Sequence, residues 1–440
     1  LMIRRPPRST LDRSSAASDV YKRQVLLADV ADNTVVGNTQ GGFILRASDT
    51  NPAEHGASAF SVNIGGEDRL TDANLFDGNL GAGMAFTLVD KAVGTFNVQN
   101  NTVINMVDDN DTSTNYVGDA IHAELVGLAL GFEAINRLEG AIVENNSLGT
   151  DGYTELASAI NSTQATITVT DSDRFEALSV PFNIQVGREV MTVTGITDAN
   201  LDVIRGVGTS PNEEHVGGDT VFATTGGNQG RGFSLLIEED STLQDLLFRN
   251  NTVVNNGDDG FKLRREDEGR LNLVESGALQ RRAVTIRDYT FIVNASNAPS
   301  EPISPSSSQL RGAGIDIHAL NGSVDLQDLE IVGNVIEANV GPNTSGILLR
   351  AEADARILAD IEDNRIRYNS ADGIELSTRQ NDGTDVRQVG GTWVKNTITD
   401  NGNHGIQIIG RHGLFDVITE LVNTCLLYTS DAADERSSVD

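Results

Sequence analysis

One short pattern recurs along most of this chain and limits what it can fold into. It consists of an Asn, an apolar residue two positions later, a second Asn five residues after the first, and then a Gly followed by an apolar residue. Clear copies read NNTVVNNGDDGFKL, DNRIRYNSADGIEL and KNTITDNGNHGIQI. Successive copies are mostly 27 to 46 residues apart. Such a period is typical of solenoid proteins, in which each repeat packs against its neighbours.

The copies predict strands and turns rather than helices. Apolar and polar residues alternate in short β-branched segments that are separated by Asn, Gly and Asp. Stacked from coil to coil, the Asn side chains would form hydrogen-bonded ladders. The leading Asn is present in eight copies: Asn33, Asn74, Asn101, Asn146, Asn251, Asn334, Asn364 and Asn396. The second Asn is present in six: Asn38, Asn79, Asn256, Asn339, Asn369 and Asn401.

The number and spacing of the copies predict the domain organisation. A looser ninth copy surrounds Asp288, so we expect an all-β parallel β-helix of about nine coils. One gap between leading Asn residues is 105 residues long, and removing residues 153–223 reduces it to 34. We therefore predict two β-helix segments, residues 25–152 and 224–424, separated by a small inserted β module.

The two ends of the chain lack the repeat. Residues 1–24 and 425–440 read LMIRRPPRSTLDRSSAASDVYKRQ and CLLYTSDAADERSSVD, and both strings resemble translated sequencing-adapter sequence. We expect both to lie outside the fold. The single cysteine, Cys425, falls in the second string, so the repeats offer no disulfide and no thiolate metal site.

Charge and hydropathy exclude some classes of partner. The formal net charge is −31, which makes nucleic acid an unfavourable ligand because its phosphates would be repelled. No run of about 18 apolar residues occurs, so no membrane span is predicted. An acidic surface suits a soluble protein in salty or calcium-containing surroundings.

The copies resemble the parallel β-helix repeats of the pectate-lyase-like superfamily. That resemblance implies a right-handed solenoid, a secreted or cell-surface location in a bacterium, and a polysaccharide as the ligand. The superfamily includes polysaccharide lyases, glycoside hydrolases, phage tailspikes and surface adhesins. The insert resembles a small β module of phage tail and bacterial surface proteins, through ATITVTD, PFNIQVGREVMTVTGI, VIRGVGT and the later His215 and Gly217.

Strand alternation indicates one candidate site. If Phe261 points inward, then Lys262 and Arg264 point outward, and they should neighbour Asp316 and His318 on the next coil. A uronate-cleaving enzyme needs cations and a base, which Lys, Arg and His supply. The alternative is a ladder of solvated cross-strand ion pairs.

Two acidic motifs are further candidates. Asp258 and Asp259 resemble the paired acids of polygalacturonase-like hydrolases, although the rest of that family's pattern is absent and acids are also common in tight turns. Asp108, Asp109 and Asp111 are candidate Ca²⁺ ligands because they place several carboxylates together, and the alternative is a solvated acidic loop. No other cofactor is indicated.

Three functions fit these observations. The first is an extracellular surface or adhesion protein, whose β-helix is a rigid scaffold that binds carbohydrate or a neighbouring surface. The second is a polysaccharide lyase or glycoside hydrolase that acts on the outer face of the helix. The third is a phage tailspike-like fibre, which should form a stable trimer.

Overall fold

The structure is a computed structural model, and it describes the greater part of the chain. The described residues are 25–48, 58–68, 71–89, 92–108, 118–126, 137–149, 152–176, 178–208, 210–224, 227–238, 241–266, 270–271, 284–288, 290–292, 294, 312–320, 325–339, 341, 343–352, 355–379, 387–411, 415–422 and 425–426. The predicted tail at residues 1–24 lies outside them.

Three long parallel sheets, here called A, B and C, wrap around one core. Sheet A contains, in order, Val25–Val30, Ala59–Gly65, Val93–Gln99, Arg137–Glu144, Leu246–Arg249, Val284–Arg287, Asp325–Val332, Arg356–Glu362, Arg387–Val394 and Phe415–Val422, with the short strands Thr242–Leu243 and Arg270–Leu271 alongside. Sheet B contains Thr34–Val36, Leu75–Asp77, Thr102–Ile104, Ser147–Gly149, Thr252–Val254, Thr290–Ile292, Val335–Glu337, Arg365–Arg367, Thr397–Thr399 and Cys425–Leu426. Sheet C contains Phe43–Ser48, Met84–Val89, Ile121–Val126, Phe233–Glu238, Phe261–Glu266, Ala313–Ala319, Ser345–Glu352, Ile374–Arg379 and Ile406–Arg411.

Each coil of the solenoid takes one strand from each sheet, in the order A, B, C. The described strands make nine complete coils, numbered 1 to 9 from the N-terminus, and the A and B strands of a tenth. The predicted all-β parallel β-helix with one small inserted β domain is therefore confirmed. The strand Cys425–Leu426 pairs with Thr397 and Ile398, so the fold reaches two residues into the predicted C-terminal tail. A strand at the edge of a sheet presents unpaired backbone groups, so the B strand of coil 9 accepts this further strand.

The leading Asn residues stack from coil to coil. In most coils the side-chain amide donates to the Oδ1 atom of the next Asn, at 2.8 Å from Asn146 to Asn251 and at 2.8 Å from Asn334 to Asn364. The backbone N–H of Asn146 also donates to Oδ1 of Asn251, at 2.8 Å. Most of these residues are buried, so the ladder satisfies polar groups that water does not reach.

A second ladder runs along the second Asn positions, and it contains two members that the sequence pattern missed. Asn228 donates to Asn256 at 2.9 Å, and Asn294 bridges Asn256 and Asn339 at 2.8 and 3.1 Å. Asn228 was overlooked because the insertion separates it from the leading Asn146 of its own coil.

The residue before the leading Asn takes a left-handed backbone in most coils, at φ 53° for Asn250 and φ 60° for Asp288. Strand register aligns Arg249 with Arg287, so Asp288 is equivalent to Asn250 rather than to Asn251. The ninth copy of the motif is therefore shifted by one residue from the predicted leading position. Asp and Asn are common here because both tolerate this backbone conformation.

The insert is a six-stranded antiparallel sheet with its own core. Its strands are Tyr153–Glu155, Thr166–Thr168, Phe182–Val186, Glu189–Thr197, Asn200–Ile204 and Thr220–Ala223, with a 3-10 turn at Asp173–Phe175. It packs against sheet B, where Phe222 contacts a small apolar cluster that includes Val254 and Ala338. Asp219 of the insert also pairs with Arg367 of coil 8 at 2.8 Å.

Deletion of residues 153–223, with Gly152 joined to Thr224, should leave the β-helix folded. Solenoid contacts lie between neighbouring coils, and the insert interrupts one turn of coil 4. The melting temperature should nevertheless fall, because the apolar cluster under Phe222 becomes exposed. Circular dichroism melting would measure both effects, and loss of the β-type spectrum would show that the boundaries are wrong.

Candidate functional site

The outer face of sheet C carries most of the candidate residues. Phe261 and Leu263 lie in the core, so the alternate residues Lys262 and Arg264 face away from it. Strand register pairs Lys262 with Asp316, as expected. The same register pairs Arg264 with His318.

Three of these four outward residues are not solvated, which argues against the alternative of a ladder of solvated ion pairs. Lys262, Asp316 and His318 are 2%, 0% and 1% exposed, and only Arg264 keeps intermediate exposure. Alternation along a strand gives the side of the sheet on which a residue lies. It does not indicate whether that side is covered.

The centre of the site is Lys262 between two carboxyl groups. Its Nζ atom lies 2.7 Å from Oδ2 of Asp259 and 3.2 Å from Oδ2 of Asp316. Asp258, the other predicted acid, pairs instead with Arg231 on the adjacent coil, at 3.2 Å from the Nε atom. The two neighbouring acids therefore occupy different environments, one buried and one partly exposed.

Asp259 also belongs to a third ladder, in the turn before sheet C. Its Oδ1 atom accepts a hydrogen bond from the backbone N–H of Ala313 on the next coil, at 2.7 Å. Asp119 accepts from the N–H of Arg231 at 2.7 Å. Asp372 accepts from the N–H of His404 at 3.0 Å. A structural role in the turn is thus shared by three buried aspartates.

Burial and neighbouring charges shift the pKa values of the two carboxyl groups around Lys262 in opposite directions. Burial, opposed by Lys262 and reinforced by Asp258 and Asp316, raises the pKa of Asp259 to about 7. The pKa of Asp316 is lowered, because Lys262, Arg350 and His318 together outweigh the effect of its burial. The pair therefore holds one proton near neutral pH while one carboxylate stays ionised.

The raised pKa of Asp259 predicts a pH-dependent stability. Between its unfolded pKa near 3.8 and its folded value of about 7, the folded chain keeps a proton that the unfolded chain has lost. The contribution of this group to the free energy of unfolding is therefore full below pH 3.8 and lost as the pH rises through 7. Asp259→Asn keeps the acceptor for Ala313 but cannot ionise.

We expect the stability of Asp259→Asn relative to the wild type to rise between pH 4 and pH 7, and then to level off. Urea unfolding at a series of pH values would measure this difference. A difference that is constant across the range would contradict the raised pKa.

A second polar cluster lies on coils 3 and 4, two to three coils before the Asp316 strand of coil 6, and the sequence pattern did not identify it. Nδ1 of His122 lies 3.1 Å from Oδ2 of Asp119, and Arg231 Nη1 lies 3.4 Å from the same oxygen. Burial alone would raise the pKa of Asp119, but Arg231 and His122 outweigh that effect and keep it low. Asp119 and Arg231 occupy the turn position of Asp259 on coils 3 and 4, and this equivalence was hidden by the insertion.

Asp316 and His318 are both buried on the outer face of sheet C, and each has one polar side chain within hydrogen-bonding distance. Nζ of Lys262 lies 3.2 Å from Oδ2 of Asp316, and Oε1 of Glu352 lies 3.4 Å from Nε2 of His318. Burial lowers the pKa of His318, which leaves the imidazole uncharged near neutral pH.

The predicted Ca²⁺ ligands are only partly described. The backbone N–H of Asp108 donates to Gln229 at 3.0 Å, and Asp109 and Asp111 lie outside the described residues. Within the described ranges, no group of three His, Cys, Asp or Glu side chains is arranged to hold a metal ion.

In the same part of the chain, no helix has the length and apolar character needed to cross a membrane.

No protein-family model matches the chain, and no curated protein matches it. Two solved structures are similar to it: the gp54 tailspike of Acinetobacter baumannii bacteriophage AP22 in complex with A. baumannii capsular saccharide, and the Pseudomonas phage phi297 tailspike gp61. The first is 10% identical with a TM-score of 0.17, and the match covers 77% of this chain and 64% of that one. The second is 12% identical with a TM-score of 0.15, and the match covers 83% and 65%. The chain spans less than two thirds of either tailspike, and TM-scores this far below 0.5 give the matches no weight.

Proposed function

We propose that this chain is an extracellular scaffold of a bacterium, a surface or adhesion protein that binds carbohydrate on the outer face of sheet C. The observation that supports this proposal is the concentration of charged and hydrogen-bonding side chains on one face of a long solenoid. From coil 3 to coil 9 the face extends roughly 30 Å, because adjacent coils are about 4.8 Å apart. A flat, rigid face of that length suits a polymer that lies along the helix axis.

Affinity electrophoresis in gels that contain a polysaccharide tests this proposal. Arg264→Gln, on sheet C, should reduce retardation by the polymer, because Arg264 lies on the proposed face and keeps intermediate exposure. Lys395→Gln is the matched control, since Lys395 follows sheet A and its side chain is 56% exposed. Equal retardation of both variants and the wild type would place the binding surface elsewhere. No retardation by any polymer would reject the function.

The second candidate is a glycoside hydrolase, and the separated acidities of Asp259 and Asp316 favour it. In such enzymes one protonated carboxyl donates to the leaving oxygen while an ionised one attacks the sugar or activates water. Both contacting oxygens lie within 3.2 Å of Lys262 Nζ, so they are at most about 6 Å apart. This upper limit is shorter than the roughly 6.5 to 9.5 Å of inverting enzymes, so a retaining mechanism is the one to test.

The reaction products would separate the possible activities. A hydrolase releases new reducing ends, whereas a lyase leaves unsaturated ends that absorb in the ultraviolet. If Asp259 and Asp316 are catalytic, Asp259→Asn and Asp316→Asn should each lower kcat by about 100-fold or more. Binding without turnover in the wild type would leave the scaffold function and exclude the hydrolase on the polymer tested.

A further inference from the structure

The inserted module contacts coils far from the one that carries it. Its chain leaves the solenoid between the B and C strands of coil 4 and returns there. Phe222 nevertheless forms an apolar cluster with Val254 of coil 5 and Ala338 of coil 7. The side chain of Arg188 donates a hydrogen bond to the backbone carbonyl of Asp400, in the turn after the B strand of coil 9. From coil 5 to coil 9 these contacts cover roughly 19 Å, because adjacent coils are about 4.8 Å apart.

The contacts of the insert differ in kind from those within the solenoid. In a repeat protein each coil contacts only its neighbours, so the stability is close to a sum of nearest-neighbour interfaces and the end coils can open on their own. The insert adds interfaces that connect coil 4 directly to coils 7, 8 and 9. Opening of the last coils then requires the insert to separate from them as well.

Arg367 of coil 8 lies at the centre of the docked interface. Its Nη2 atom donates to Oδ1 of Asp219 in the insert at 2.8 Å, and its Nε atom donates to Oε1 of Glu337 on coil 7 at 2.6 Å. The side chains of Arg367, Asp219 and Glu337 are 12%, 3% and 4% exposed. Thr220 of the insert also lies 3.4 Å from Glu337. A charge-assisted contact from which water is largely excluded is stronger than an ion pair on an exposed surface.

Asp219 is also held by the core of the insert. Its Oδ2 atom accepts the backbone N–H of Val216 at 3.0 Å and lies 3.7 Å from Nδ1 of His215. Nε2 of His215 lies 3.0 Å from Oε2 of Glu189, a buried residue of the insert sheet. Burial alone would raise the pKa of Asp219, but His215 and Arg367 outweigh that effect and keep it low, so the group is a carboxylate at neutral pH. The ion pair therefore joins coil 8 to the whole module rather than to a loose turn.

We propose that the insert is a strap that joins coils 4 to 9 into one cooperative unit, with the ion pair between Arg367 and Asp219 at its centre. The strap lies on sheet B, so the proposal does not depend on what binds to sheet C. Asp219 and Arg367 are 148 residues apart in the sequence. A change in the insert should therefore alter the opening of coils that are distant along the chain.

Asp219→Asn tests the strap, with Asp171→Asn as its matched control. Both residues belong to the insert, but Asp171 pairs with Arg174 of the same module at 3.2 Å and is 47% exposed. Hydrogen exchange of the full chain, followed by mass spectrometry of its peptides, would measure how readily each coil opens. We expect Asp219→Asn to speed the exchange of coils 8 and 9 by about tenfold or more and to leave coils 1 to 3 unchanged. Asp171→Asn should leave coils 8 and 9 unchanged.

Arg367→Gln makes the same test from the solenoid and leaves every residue of the insert intact. Its control is Arg365→Gln, because Arg365 lies on the same strand and 2.7 Å from Glu337, whereas the ion pair with Asp219 belongs to Arg367. Arg367→Gln should speed exchange in both the insert and coil 9, and Arg365→Gln should change neither by more than about twofold.

Two results would overturn the strap. The first is fast exchange that stays within the insert in Asp219→Asn while coils 8 and 9 keep the wild-type rate. The second is an equal effect of Arg367→Gln and Arg365→Gln on coil 9, which would assign the effect to Glu337 alone. If Asp219→Asn unfolds the insert itself, Arg367→Gln decides the question.

Discussion

Lys262→Met is expected to destabilise the folded chain by about 3 to 5 kcal/mol, the usual cost of breaking a buried ion pair from one side. Methionine has a similar length but no charge. It would leave Asp259 and Asp316 facing each other in a site that is closed to water. Urea unfolding followed by circular dichroism would measure the change.

Two further variants distinguish the loss of the buried ion pair from the loss of any lysine. Lys395→Met removes an exposed lysine that lies 3.4 Å from Glu362, and it should change the stability by no more than about 0.5 kcal/mol. Adding Asp316→Asn to Lys262→Met should recover part of the loss, because it removes the carboxylate that stays ionised near neutral pH. A Lys262→Met variant as stable as Lys395→Met would show that the carboxyl groups are solvated or protonated together.

The parallel β-helix could be predicted because its signal is local and repeated. Each leading Asn lies at the same point of its coil, and its stacking partner is the Asn of the next copy, as for Asn146 and Asn251. The pattern therefore predicts both the strand direction and the neighbours. The 105-residue gap between Asn146 and Asn251 did not hide the repeat, since their side chains stack across the insertion.

Neighbours in the candidate site could also be predicted, but their environment could not. Alternation and register were enough to pair Lys262 with Asp316. Burial depends on what packs against the outer face of sheet C, and a repeat motif carries no information about that. The alternative of a solvated ion-pair ladder fails for this physical reason, since Lys262, Asp316 and His318 are buried.

The cluster around Asp119 was missed because its partners come from distant parts of the sequence. Asp119 and Arg231 are 112 residues apart and become turn neighbours only when the insert is removed from the count. His122 looked like one outward residue among many. A comparison of the residue two positions before each sheet C strand, coil by coil, would have aligned Asp119, Arg231 and Asp259.

Asn364→Ala should destabilise the chain by about 1 to 3 kcal/mol, because it removes a member from the middle of a buried ladder. Oδ1 of Asn364 accepts both the side-chain and backbone N–H of Asn334, at 2.8 and 2.9 Å. Its own amide donates to Asn396 at 2.9 Å. Alanine would leave the backbone N–H of Asn334 without an acceptor in a water-poor turn.

Asn33→Ala is the control for this prediction, because Asn33 lies at the end of the solenoid rather than in its middle. Asn33 begins the ladder in coil 1 and is partly exposed, and its side chain donates to Asn74 at 3.0 Å. Asn33→Ala should therefore cost much less than Asn364→Ala when both are measured by urea unfolding. Carbohydrate retention by folded Asn364→Ala should equal that of the wild type, since the ladder lies on the turn between sheets A and B and not on sheet C. Equal losses of stability at the two positions would mean that the amide stack contributes little and that the apolar core alone sets the stability.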